Sequence, residues 1–144
     1  MIFKSRMPNA SAYMSLRNSL DWGQITERQA QSVLKGSLGG CSAYADGHLI
    51  AMARYIGDGI LNFYIQDVVV AHDYRNKGVG TALITRLISD LQSRYPKDCT
   101  IGLMAAKGQD AFYTQYGFNT RPSDVYGAGM IASLGNLRER GGPH

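Results

Sequence analysis

The sequence predicts a mixed α/β fold built on one sheet. Strand-like and helix-like segments alternate along most of the chain, a two-residue hairpin signal joins two early strands, and a strand, a long amphipathic helix and another strand follow one another mid-chain. A strand–helix–strand unit makes its two strands parallel, whereas a hairpin joins antiparallel strands. The expected sheet is therefore mostly antiparallel with a central parallel pair, flanked by about four helices.

The composition is typical of a single folded unit. The 144 residues are 44% apolar and 18% charged, which is enough to build a core and too apolar for an intrinsically disordered chain. No repeat or linker is visible, so residues 1–136 are interpreted as one domain and residues 137–144 as a flexible tail. No segment has the roughly 18 consecutive apolar residues of a membrane span, and no signal peptide is recognised, which favours a cytoplasmic protein.

The charges and cysteines disfavour several classes of protein. Fifteen Lys and Arg against eleven Asp and Glu give a net charge of +4, which suits an anionic ligand. These residues form no basic stripe with interleaved aromatics, so a nucleic-acid-binding domain is disfavoured. Cys41 and Cys99 form no CxxC pair, so neither a disulfide scaffold nor a zinc site is predicted, and no metal is expected.

The first half of the chain predicts a strand, two helices and a hairpin. Gln29 follows Thr26 by three residues, which is the pattern of a capping box at the start of the second helix. The pair Asp46-Gly47 is a strong signal for a two-residue hairpin turn. In order, the expected elements are a strand at 2–3, helices at 9–20 and 26–38, and strands at 41–45 and 48–56.

The next strand, at 61–70, changes phase in its middle. Its apolar side chains occupy odd positions up to Ile65 and even positions from Val68 onward, with the polar pair Gln66-Asp67 between them. Side chains of a regular strand alternate between two faces, so one inserted residue, a β-bulge, accounts for the switch. The alternative is a strand buried on both faces, in which the alternation carries no information.

The second half predicts a long helix packed on the sheet and several smaller elements. Val79, Leu83 and Leu87 recur at steps of four, which gives the helix one apolar face. Tyr95-Pro96 ends this helix. Beyond it we expect a strand at 100–105, a short helix at 109–116 and one or two strands within 118–134.

The turn before the long helix is suited to a phosphate group. Gly78 and Gly80 let the main chain approach a ligand closely, and Arg75 and Lys77 add positive charge. The amides at a helix N-terminus favour the same ligand. The spacing of the glycines does not match a P-loop, GxxxxGK[ST]. It does not complete a GxGxxG motif either, because Leu83 stands where the third glycine is needed. A pyrophosphate is the predicted ligand, and a plain glycine turn is the alternative.

Two motifs together resemble the GNAT superfamily of acetyl-CoA-dependent N-acetyltransferases. The first is Asp67-Val68-Val69-Val70 followed by Arg75-x-x-Gly78-x-Gly80-Thr81-Ala82, and the second is Phe112-Tyr113-x-x-x-Gly117-Phe118. Their order and separation match the family, as does the order of the expected elements over nearly the whole chain. The resemblance implies an enzyme that transfers an acetyl group from acetyl-CoA, its co-substrate, to a primary amine by direct attack in a ternary complex.

The resemblance also implies roles for particular residues. In similar proteins a bulge splays the fourth strand from the fifth and opens a gap for the pantetheine arm, and the phase change at Gln66-Asp67 falls where that bulge is expected. Tyr113 matches a tyrosine that is the general acid in several relatives, although a tyrosine packed on the sheet is the alternative. The implied cofactor-binding residues are Val68, Val69 and Val70 for pantetheine, and Arg75, Asn76, Lys77, Gly78, Val79, Gly80 and Thr81 for the pyrophosphate.

The general base and the acceptor site are less defined. Asp67 is the candidate base, through water, and its alternative role is that of a hydrogen-bond partner for the bulge. The Val68 amide is the candidate oxyanion donor, because a bulge frees amides from the ladder. Trp22, Tyr55 and Tyr64 are the candidate acceptor-site residues, since aromatic rings bind aromatic or cationic amines, with core packing as their alternative.

Other interpretations stay open at this point. Many family members carry an asparagine seven residues before the motif's tyrosine, and Ala106 stands there instead. A non-catalytic acyl-CoA-binding or sensing domain would keep the pyrophosphate turn without the catalytic groups. The acceptor is expected to be a small-molecule amine, with a protein lysine or N-terminus as the alternative. The resemblance implies a homodimer, and neither a nucleic-acid nor a membrane partner is expected.

Overall fold

A five-stranded sheet forms the first of the two units into which the chain divides. The computed structural model describes residues 1–140; its first unit is Met1–Met104, and the second begins at Ala105. The strands lie in chain order across the sheet. They are β1 (Ile2–Lys4), β2 (Gly39–Ala45), β3 (His48–Gly57), β4 (Asn62–Val70) and β5 (Thr100–Gly102).

Three α-helices belong to the same unit: α1 (Ala10–Asn18), α2 (Glu27–Lys35) and α3 (Val79–Arg94). The predicted capping box of α2 is present, because the Thr26 side chain accepts from the Gln29 amide and the Gln29 side chain accepts from the Thr26 amide. The predicted apolar face of α3 is buried. A 3₁₀ turn, His72–Tyr74, connects β4 to α3. Among residues 1–140, no helix has the length and apolar character needed to cross a membrane.

The pairing of the strands confirms the predicted fold class. β1 to β4 pair antiparallel in succession, and β4 pairs parallel with β5. This parallel pair lies at an edge of the sheet and not at its centre, because no described strand lies beyond β5. The pairing spans only Asn62 to Tyr64 on β4. From Ile65 to Val70, β4 therefore has no β5 partner, which is the splayed arrangement that the resemblance implies.

A β-bulge interrupts β4 where the phase change predicts one. Met52 of β3 pairs with Val69, and Arg54 pairs with Gln66, so one residue of β3 stands opposite two residues of β4. Asp67 is the first of those two residues and has a φ of 56°, in the left-handed region that few non-glycine residues adopt. The extra residue confirms the predicted bulge.

The bulge changes the face of the sheet to which β4 side chains point. Before it, Phe63 packs against Tyr95 at the end of α3, with ring centroids 4.4 Å apart. After it, Val69 belongs to a buried cluster with Met52 and with Tyr13 of α1. Odd-numbered residues of β4 thus face α3 before the bulge, and α1 and α2 after it.

The second unit is described as far as residue 140. It contains a short helix, α4 (Asp110–Thr114), and a 3₁₀ turn at Leu134–Asn136. Its described residues form no strand, so the prediction of strands within 118–134 is wrong. A strand needs a hydrogen-bonded neighbour, and Met130 and Ile131 are instead 88% and 82% exposed. Of the predicted tail, residues 137–140 are irregular, and the rest lies outside the described residues.

Candidate active site

The predicted pyrophosphate turn is an exposed connection between β4 and α3. The chain passes twice through the left-handed region, at Asn76 with a φ of 60° and at Gly78 with a φ of 78°. Gly78 is the N-cap of α3, and no side chain caps this helix. The first amides of a helix have no partner within the helix, so those of Val79 and Gly80 are oriented toward the space before it. A Cβ added to Gly78 would meet nothing within 4 Å, so this space is open.

Two cationic side chains stand at this turn. The Arg75 Nε donates to the Val70 carbonyl oxygen at 3.0 Å, which ties the start of the turn to the end of β4. The Lys77 ammonium lies 5.7 Å from the centroid of the Tyr74 ring. The side chain of Val79 is buried, so only its main chain can contact a ligand. The seven predicted phosphate-binding residues thus form the turn and the first residues of α3; they are Arg75, Asn76, Lys77, Gly78, Val79, Gly80 and Thr81.

The predicted pantetheine-binding residues follow the bulge on the unpartnered stretch of β4. Val69 turns its side chain into the buried cluster, so only its main chain remains for a ligand. Val68 and Val70 are half-buried. The Val70 carbonyl oxygen already accepts a hydrogen bond from Arg75. Val68 directly follows Asp67, the left-handed position of the bulge.

Asp67 is buried, and its carboxylate has three polar partners. Tyr13 Oη donates to its Oδ2 at 2.5 Å, and Arg54 Nε donates to the same oxygen at 2.7 Å. Gln66 Nε2 lies 3.4 Å from Oδ1. The Arg54 and Asp67 side chains are only 12% and 3% exposed, so the ion pair is shielded from water. All three partners are side chains, and two of them share Oδ2, so the carboxylate links the bulge to α1 and β3, while its role as a base stays a prediction.

The donors to this carboxylate were not predicted from the sequence. Arg54 makes a second hydrogen bond, in which its Nη1 donates to Ser37 Oγ at 3.1 Å. A signal for the pair was present, because an arginine inside an otherwise apolar strand requires a buried acceptor, and Asp67 is the acid of the adjoining strand. Tyr13 gave no comparable signal, since an aromatic residue on an amphipathic helix is ordinarily core.

Tyr13 should make the fold more sensitive to alkali. Burial, and after it the hydrogen bond to Asp67, raises the pKa of Tyr13 from 10.0 to about 12. A raised pKa contributes stability that is fully present below pH 10 and is lost as the pH rises toward 12. We therefore expect the difference in free energy of unfolding between the wild type and Tyr13→Phe to shrink across that window in urea titrations. A difference that stays constant with pH would contradict this expectation.

Tyr113, the candidate general acid, lies in α4 of the second unit. Its ring packs edge-on against Phe112 and Phe118, with centroids 5.0 and 6.0 Å away. Burial raises the pKa of Tyr113 above its ordinary value. The phenol therefore stays protonated at neutral pH and is able to donate a proton.

The three predicted acceptor-site aromatics do not share one site. Trp22 lies between α1 and α2, is 47% exposed and has the Arg17 guanidinium 5.9 Å from its ring. Tyr64 is half-buried on β4. The residue that pairs with Tyr55 is the neighbour of Tyr64, so these two side chains point to opposite faces of the sheet. Tyr55 is 1% exposed and packs against Phe63, so its assignment to an acceptor site is corrected to the core.

Comparisons with known proteins give the following matches. Residues 20–133 match the family model described as an acetyltransferase (GNAT) domain. GCN5-related N-acetyltransferase 1, chloroplastic, of Arabidopsis thaliana is 37% identical over 89 residues, which are 62% of this chain and 44% of that protein. Serotonin N-acetyltransferase 2, chloroplastic, of Oryza sativa subsp. japonica is 33% identical over 87 residues, which are 60% and 42%. The chain spans less than half the length of these curated relatives.

A solved structure shares the fold. It is a protein of unknown function from meticillin-resistant Staphylococcus aureus, which aligns with a TM-score of 0.78 at 24% identity, over 92% of this chain and 98% of that one. The region matched by the family model contains both sequence motifs, at 67–82 and 112–118. It also covers well over half of the 144 residues. The chain therefore belongs to the GNAT family of acetyltransferases.

Proposed function

We propose that this protein transfers the acetyl group of acetyl-CoA to a primary amine of a small molecule, by direct attack within a ternary complex. The observation that carries the proposal is the bulge in β4, followed by a stretch without a β5 partner and by an open, cationic turn at the N-terminus of α3. Because the chain belongs to the GNAT family, we interpret this geometry as a binding site for acetyl-CoA.

The residues present fit acetyl-CoA. The turn combines the N-terminal amides of a helix that no side chain caps, the αL glycine Gly78 with open space around it, and the cations Arg75 and Lys77, which together suit a diphosphate. The main chain of β4 from Val68 onward suits the amides of the pantetheine arm, which would then add to the sheet as a strand does.

The chemistry needs an oxyanion donor and a general acid from the protein. The amine nitrogen attacks the thioester carbonyl carbon, and the Val68 amide stabilises the oxyanion that forms. The carbon–sulfur bond then breaks and the departing CoA thiolate takes a proton, for which Tyr113, at the tyrosine position of the second motif, is the proposed donor on the strength of the resemblance. The proton released by the amine passes to water. In this scheme Asp67 holds the bulge, with its Oδ2 accepting from Tyr13 and Arg54, and the role of Asp67 as a base through water stays the alternative.

Several features support a small-molecule amine as acceptor. The rice relative is named for serotonin, a small primary amine. Trp22 and Tyr64 remain the candidate residues for stacking on such a molecule.

The oligomeric state and the location are also proposals. The homodimer remains a proposal from the resemblance. The cytoplasmic location remains a prediction of the sequence, beside two relatives that are named as chloroplastic.

Acyl-CoA binding without catalysis is the second candidate function. The observation that favours it is the engaged carboxylate of Asp67, which leaves this chain without an identified general base. A domain of this kind would bind acetyl-CoA through the same turn and release no CoA when an amine is added.

Calorimetry and a panel of amines test the proposal. We expect acetyl-CoA to bind with a micromolar Kd, and at least one small primary amine to yield an acetylated product detectable by mass spectrometry. The panel contains arylalkylamines, polyamines and a lysine peptide, so it also tests the acceptor class. Binding without product for every amine would favour the second candidate, and absence of binding would refute both.

A further inference from the structure

We propose that Tyr13 and Arg54 are positioning residues for acetyl transfer, which fix the bulge through Asp67 and thereby orient the Val68 amide toward the thioester. The inference rests on the proposed function and adds residues that neither motif contains. Tyr13 lies on α1 and Arg54 on β3, so the group that they hold is shared by elements far apart in the sequence.

The bulge needs such support. Asp67 has a φ of 56°, a conformation that is unfavourable for any residue with a Cβ and persists only where the surrounding structure holds it. The β4–β5 pairing has already ended at Tyr64, so β5 gives the bulge no hydrogen bonds. The pairs with β3 on either side of the bulge leave Asp67 and Val68 themselves unpaired, and the side chain of Asp67 adds a restraint there, through two donors on one oxygen, from Tyr13 and Arg54.

Both donors are themselves held firmly. The Tyr13 ring lies in the buried cluster with Val69, the second residue after Asp67, so the helix and the strand are packed together next to the hydrogen bond. Arg54 is fixed at its other end by Ser37 Oγ. Tyr13 and Asp67 are both buried, which limits competition from water for this hydrogen bond.

The hold on Asp67 matters for the reaction because it sets the direction of the Val68 N–H group. The peptide group between Asp67 and Val68 carries the proposed oxyanion donor, and the backbone conformation of Asp67 sets where its N–H points. A preorganised donor is effective only when it is aimed at the oxyanion before the charge develops. Loosening Asp67 should therefore reduce the rate of acetyl transfer more than the affinity for acetyl-CoA, whose diphosphate is held by the separate turn at Arg75–Thr81.

Tyr13→Phe tests the inference, since it keeps the ring in the cluster and removes only the donor. We expect kcat to fall about tenfold, following the usual effect of a misaligned oxyanion donor, while the Kd for acetyl-CoA changes less than threefold. Arg54→Lys, which keeps the charge and loses the planar fork, should lower kcat in the same way. The matched control is Ser42→Ala, which removes another buried hydroxyl hydrogen bond, from Ser42 Oγ to the Arg6 carbonyl oxygen at 2.7 Å, and should leave kcat unchanged.

A second measurement separates this inference from the proposed function. The amide shift of Val68 in a ¹⁵N–¹H spectrum should move in Tyr13→Phe and stay in place in Ser42→Ala, whether or not the wild type transfers acetyl groups. An active wild type with undiminished kcat in Tyr13→Phe overturns the inference and leaves the function intact. An inactive wild type refutes the function, and the Val68 shift then decides whether the donors fix the bulge: an unmoved shift overturns the inference, and a moved one supports it.

Discussion

Replacing Tyr113 with phenylalanine should lower kcat for acetyl transfer by about 100-fold, the size of effect that a lost general acid produces, and leave the Kd for CoA unchanged. Tyr113 is the proposed proton donor to the CoA thiolate, and burial keeps its phenol protonated at neutral pH. Phenylalanine retains the ring packing against Phe112 and Phe118, so α4 should stay folded. Steady-state kinetics with the best amine of the panel, together with calorimetry, measure the two quantities.

The matched control for this prediction is Tyr116→Phe. Tyr116 follows three residues later and packs against the same Phe112 ring, with centroids 5.6 Å apart. We expect its kcat to stay within about twofold of the wild type, because the motif gives it no chemical role. Equal losses in both variants would mean that the hydroxyl groups of α4 act through the structure of the helix and that the Tyr113 proton has no specific role. Full activity in Tyr113→Phe would require another acid.

Local signals were sufficient to predict much of the sheet. The pair Asp46-Gly47 forms the expected turn between β2 and β3, with φ angles of 50° and 78° that suit a two-residue hairpin. The change of phase at Gln66-Asp67 predicted the bulge, since a shift in alternation can be read from a single strand. The turn at Arg75–Thr81 was predicted for the same reason, because its glycines and cations are contiguous in the sequence.

Features that depend on distant partners were not predictable in this way. Tyr13 and Asp67 are separated by 54 residues, and nothing in either neighbourhood announces their hydrogen bond. Tyr55 was assigned to an acceptor site because an aromatic residue in a strand does not show which of the two faces covers it. The prediction of strands within 118–134 was wrong for a similar reason, since apolar residues there indicate a strand only if a neighbouring strand pairs with them.

The turn before α3 gives the second large effect. Gly78→Val should weaken CoA binding at least tenfold, by the loss of several amide contacts to the diphosphate. Gly78 has a φ of 78°, which a β-branched residue strongly disfavours, so the main chain must rotate and redirect the amides of Val79 and Gly80. A Cβ at Gly78 meets no protein atom within 4 Å, so the variant need not displace any neighbouring side chain. Calorimetry with CoA measures the change.

Gly47→Val separates loss of binding from loss of stability. Gly47 has the same φ of 78° in the turn between β2 and β3, and a Cβ there also meets nothing within 4 Å. Both variants should therefore lose a similar amount of stability, about 1–2 kcal/mol for one residue forced into the left-handed region, while only Gly78→Val loses affinity for CoA. Equal affinity in the two variants would mean that the amides of this turn do not hold the diphosphate, and the assignment of Arg75–Thr81 would be wrong.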